Sequence, residues 1–185
     1  RQILSFSNKI SGKLPKPERK FIADMNYGII ASGSCLLTDI VDQLQEPSRK
    51  INIVDRLSRH LAKGIPKDAL KSYLTQVRKW CPDHPVIHID DSDVVKPDGY
   101  KFESLGWVRD GSESTATNRE IRSKDDVIKV ARLYFSKWKI EEYFRCKKQM
   151  FQFENFRVRK LKAINALNFY LTLCMAFLVH ILMWY

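Results

Sequence analysis

Between residues 21 and 82 the apolar side chains recur three and four positions apart, the repeat of helices that bury one face. Leu36, Leu37, Ile40, Val41 and Leu44 form one such stripe, with Ser34 placed to cap it and Pro47 to break it. Ile51, Val54, Leu57 and Leu61 form a second, over about residues 51–62, and Gly64 closes it. Leu70, Leu74 and Val77 form a third. Pro66 starts it as a first-turn proline, Asp68 sits near its N-terminus, and Pro82 stops it. The pattern predicts a small helical module over residues 21–84. Residues 1–20 are polar, and Pro15 and Pro17 argue against a continuous helix, so a flexible basic lead-in is expected there.

The repeat changes at Pro85. Val86-Ile87-His88-Ile89 is a short β-type run that ends in Asp90, Asp91, Ser92 and Asp93. Carboxylates at the C-terminal end of a buried strand suit a metal site, because the strand is rigid and its end faces a crevice. The same residues also suit a plain acidic turn. Asp110-Gly111 is a hairpin turn signal, yet residues 112–118 are polar and lack strand character. The hairpin has no second arm.

From Ser123 the helical repeat returns. Ser123 and Asp126 have the spacing of a capping box with Asp in place of Glu. Residues 124–149 contain neither Pro nor Gly, and Val127, Val130, Ala131, Tyr134, Trp138 and Phe144 supply bulk for packing. A helix turns about 100° per residue, so Tyr134, Lys137, Glu141 and Lys148 return to a sector roughly 60° wide. A carboxylate bracketed by cations suits a site that holds a metal and a phosphate chain together. It equally describes a solvated face with spaced ion pairs. Residues 163–185 carry no formal charge apart from His180. They are long enough to span a bilayer, with a basic flank at Arg157, Arg159, Lys160 and Lys162. The competing reading, ranked first, is a buried helix in the core of a larger domain, with Asn165, Asn168 and Thr172 as a polar stripe.

Composition adds one strong constraint. The chain has 32 Lys+Arg against 21 Asp+Glu, a net charge of +11. That favours a polyanionic partner, nucleic acid first and an anionic membrane surface second. Cys35, Cys81, Cys146 and Cys174 form no C-x-x-C pair and no zinc spacing with the histidines. Reduced thiols and a cytoplasmic location are the expectation. The chain begins on Arg1 and ends within an apolar run, which reads as a fragment.

Tyr134-x2-Lys137-x3-Glu141-x6-Lys148 resembles the Tyr-x2-Arg-x3-Glu-x6-Lys signature of bacterial insertion-sequence transposases of the DDE superfamily. Lys137 for Arg keeps the charge and loses the bidentate fork. The run VIHIDDSD resembles the family's first catalytic-Asp strand, GWVRDGS the turn after it, and residues 21–82 the family's N-terminal region. The resemblance implies an RNase H-like domain in which an Asp-Asp-Glu triad holds two Mg²⁺ (or Mn²⁺) ions for in-line attack on a DNA phosphodiester. Carried over, Glu141 is the catalytic Glu, and Asp91, with Asp90 as the alternate, is the first Asp. Asp91 and Glu141 would be the metal ligands. Tyr134, Lys137 and Lys148 would bind DNA, and Arg145 joins them as a DNA-binding candidate.

One element of the family pattern is missing. No strand ending in Asp lies between Asp110 and the Glu141 helix, so the second catalytic Asp has no counterpart. The chain reads as an internally shortened, inactive transposase, or as a non-catalytic DNA-binding remnant. Its partner would be double-stranded DNA, both element ends and target, with a homodimer left open and a membrane ranked last. The expected fold is helix-rich α/β, with a truncated RNase H-like core over residues 85–185 behind the module at 21–84.

Overall fold

The structure is a computed structural model that describes residues 1–84 and 123–182. The described residues form α1 (Gln2–Ser11), α2 (Lys16–Ser32), α3 (Leu37–Asp42), α4 (Lys50–Ala62), α5 (Lys67–Trp80), α6 (Lys124–Met150) and α7 (Leu161–Leu182). A 3-10 turn, Phe153–Asn155, joins α6 to α7. No strand occurs among the described residues. The α/β, RNase H-like expectation is therefore corrected to a helical fold. The β-type run at 86–89 lies outside the described residues.

The physical reason lies in α7. It is apolar around most of its circumference and demands cover on several sides. Leu167, Tyr170, Leu171, Leu173 and Cys174 have no exposed surface. Helices supply that cover where a sheet was expected. α2 and α4 pack along α7. Phe6 of α1 lies on Phe177, with ring centroids 5.5 Å apart, and Tyr73 of α5 lies edge-on to Phe169 at 5.8 Å. Each large side chain buried in this way contributes about 1.5–3 kcal/mol. By length and composition α7 could also cross a membrane. In this fold nine of its residues are buried against the other helices.

The first twenty residues differ from the flexible lead-in expected of them. α1 buries Phe6 and Ile10, and α2 already begins at Lys16. Pro15 stands at the N-cap of α2 and Pro17 in its first turn, where a missing N–H costs nothing. A buried polar thread fastens α1. The Asn26 amide donates to Ser7 Oγ at 3.0 Å, and Ser11 Oγ donates to the Ser7 carbonyl at 2.7 Å.

Two further contacts set the packing of α2 against α3 and α4. Gly28 meets Ile40 so closely that a Cβ there would overlap the Ile40 side chain and come within 3.2 Å of its carbonyl oxygen. Beside it, four charges close a ring. Lys20 pairs with Asp24 at 2.9 Å and Glu46 at 2.7 Å, and Arg56 pairs with the same carboxylates at 2.9 and 2.6 Å. Burial would raise the Glu46 carboxyl. The Lys20 hydrogen bond and the Arg56 charge outweigh it and hold Glu46 below its ordinary value.

Gly28→Ala should destabilise the fold by about 1–3 kcal/mol through overpacking, read as a lower urea midpoint with an unchanged m value. Glu46→Gln should be less stable than wild type at neutral pH. A depressed carboxyl stabilises above its unfolded value, and that stabilisation is lost as the pH falls through the native one. The gap between the two proteins should therefore close as the pH drops below 4.5, in paired thermal melts.

Candidate functional site

α6 runs unbroken over 27 residues. Its C-terminal half is fixed to α7 by Tyr143, Cys146 and Lys147, the i, i+3, i+4 set of one helix face. The Tyr143 hydroxyl and Thr172 Oγ1 are 3.0 Å apart, and the Cys146 thiol lies 3.7 Å from Met175 Sδ. Lys147 is the centre of this contact. Only 4% of it is exposed, yet it is a lysine. Its Nζ donates to Asn168 Oδ1 at 2.8 Å and to Thr172 Oγ1 at 3.1 Å, and it sits 4.4 Å from the centroid of the Tyr143 ring. Thr172 in turn donates to the Asn168 carbonyl at 2.9 Å, so its hydroxyl gives one bond and is free to accept from its neighbours.

The stripe of Asn165, Asn168 and Thr172 in the apolar α7 sequence thus has a purpose at two of its three positions. It receives a buried cation from α6. No carboxylate partners Lys147 among the described residues. Burial lowers its ammonium to about 8, offset only in part by the nearby Cys35 thiol. Burial pushes Cys35 itself up to about 12. Sequence reasoning missed Lys147 because a lysine beside Lys148 in a basic run looks like solvent-facing charge. The polar stripe on α7 was the available signal.

This anchoring decides where the signature residues go. At about 100° per residue, Tyr143, Cys146 and Lys147 lie roughly opposite the sector of Tyr134, Lys137, Glu141 and Lys148. By that geometry Glu141 lies on the side of α6 away from its contact with α7. Glu141 is exposed. Lys148 is half-buried and pairs with Glu154 at 3.1 Å, and Arg145 pairs with Glu142. Tyr134 and Lys137 lie on α6 two turns and one turn before Glu141. Trp138, expected in the packing, is 59% exposed. Asp90 and Asp91 lie outside the described residues.

The Mg²⁺ expectation rests on Asp91 with Glu141, and Asp91 lies outside the described residues. Among the described residues no three His, Cys, Asp or Glu side chains gather where they could hold an ion. Glu142 is engaged by Arg145, and Glu141 has no ion-pair partner among the described residues. The described residues do not make a two-metal centre, and no metal-dependent step is assigned to them. What they offer is an exposed carboxylate, Glu141, with the half-buried Lys148 seven positions on. No protein-family model, curated protein or solved structure matches the chain.

A lysine lowered by burial takes up protons less readily in the native state than in the unfolded one between about pH 8 and 10.5, so its contribution to stability rises with pH across that window. The buried thiols of Cys35 and Cys174 and the Tyr170 phenol are shifted up and act in the opposite sense. The comparison with Lys147→Met isolates the lysine. The stability of Lys147→Met relative to wild type should fall by about 3 kcal/mol between pH 7.5 and 10.5, measured by urea unfolding. A constant difference would show that Lys147 is not titrating in a buried setting.

Proposed function

We propose that this chain binds double-stranded DNA through the outward face of α6, as a shortened relative of DDE transposases that does not cut DNA alone. The observation that carries the reading is the orientation of α6. Its packing residues hold one face on α7, and Glu141, within the signature spacing, is exposed. A solvated ion-pair face could have any register. Here the residue that matches the signature's Glu is left exposed, and Lys148, seven positions on, is half-buried. The net charge of +11 adds attraction for a polyanion along the whole chain.

Binding is tested by fluorescence anisotropy of a labelled duplex over a salt series. The logarithm of affinity should fall linearly with the logarithm of salt, with a slope of about 0.9 per phosphate contacted. Lys148→Ala should make that slope shallower by about one. Binding that is absent, or that ignores salt, would remove the DNA reading. In a nicking assay on supercoiled DNA with Mg²⁺, wild type and Glu141→Gln should both stay at background. Nicking by wild type that Glu141→Gln abolishes would restore the catalytic reading.

A further inference from the structure

A groove of about 460 Å³ runs between α4 and the segment that leads into α7. Leu36, Leu37, Val54 and Val158 lie along it, and its walls carry four cations. Arg59 stands on α4, and Arg157, Arg159 and Lys160 stand on the facing segment. All four are exposed, and none forms an ion pair with a carboxylate among the described residues. Arg59 makes one bond, from Nε to the Asp55 carbonyl at 3.3 Å. Asp55 is the single carboxylate in the groove, against four cations.

The walls are held at a set spacing. α4 packs on α7. At the end of α4, Gly64 adopts φ +85°, and the stem of Lys162 lies across it, so that a Cβ there would fall 2.6 Å from Lys162 Cε. Arg59 also borders a second hollow, of about 580 Å³, on the side of α4 that faces Lys16 and Lys20. Lys20 and Arg56 are committed there to Asp24 and Glu46. Lys16 has no such partner among the described residues. Positive charge therefore continues from Lys160 across Arg59 to Lys16, on surface that no described side chain of α6 lines.

We infer that this groove is a second contact for the phosphodiester backbone of duplex DNA, independent of α6. The inference rests on the DNA-binding reading above and assigns it a further surface. A cleft with low-dielectric walls and charge of one sign focuses the potential within it. Cations on both walls can flank a ridge of phosphates. A lipid surface asks for the reverse, apolar side chains at the crest with cations around them. Here the apolar residues lie within a concavity and the cations stand exposed.

The test uses the full chain with Arg59→Glu/Arg159→Glu, checked for unchanged helical circular dichroism. Arg59→Gln/Arg159→Gln serves in its place if charge reversal impairs folding. Duplex affinity should drop, and the salt slope should become shallower by about two, one for each phosphate left without its arginine. Wild-type DNA binding with unchanged affinity and slope in the double variant would overturn the groove and leave the α6 face standing. Absence of DNA binding by wild type would overturn both. Co-sedimentation with phosphatidylserine vesicles is the second arm. If the double variant loses vesicle binding and keeps DNA binding, the groove is a membrane surface and the inference fails.

Discussion

The fold depends on covering α7. A 22-residue helix with almost no charge leaves a large apolar surface facing water unless other elements cover it. The chain meets this demand with helices drawn from its first half. α2 and α4 lie along α7, and α1 and α5 reach it through aromatic contacts. One apolar cluster therefore joins residues near the N-terminus to residues near the other end of the chain. Cys174 on α7 illustrates the reach, its thiol lying 3.6 Å from the Asn26 carbonyl of α2.

The same helix sets the posture of α6. Most of α7 accepts only apolar neighbours, but Asn168 and Thr172 accept hydrogen bonds. Lys147 satisfies them and is itself satisfied by them, with Tyr143 closing the contact from its own helix. A buried ammonium without its partners would cost several kcal/mol, so the register of α6 on α7 is selective. Turning α6 by one residue would bury a different side chain and move the Glu141 sector. The outward face thus follows from a requirement on the inward one.

Charge is divided by the same packing. Beside α2 and α4, Lys20 and Arg56 are neutralised in a ring with Asp24 and Glu46, whereas the buried Lys147 is met by neutral oxygens. Where they flank the groove between α4 and α7, carboxylates are nearly absent. A net excess of cations is a property of composition. Its concentration along one groove is a property of how α4 meets the start of α7.

Several elements were legible in the residues. The helix expected over about 51–62 is Lys50–Ala62, and the one begun at Pro66 is Lys67–Trp80. Gly64, at φ +85°, and Pro66 act within a turn of their own position, so no distant contact is needed to read them. Ser34 is not the cap expected of it: the N-cap of α3 is Leu36, and Ser34 Oγ accepts from the Leu36 N–H at 3.1 Å in the turn before the helix. α1 was not legible. Phe6 and Ile10 are too few to announce a helix among basic residues, and Pro15 and Pro17 read as breakers when they are starters. The strand-based architecture was also misjudged, because an apolar helix states that it needs cover without stating what will provide it. The sequence by itself determined where the helices around Gly64 and Pro66 stop and start, the spacing of the signature on α6, and the excess of positive charge. Only the tertiary structure decided that helices sheathe α7, that Lys147 is buried while Lys148 is not, and that four cations share one groove. Those outcomes depend on pairs of residues far apart in the chain, whose meeting no local periodicity encodes.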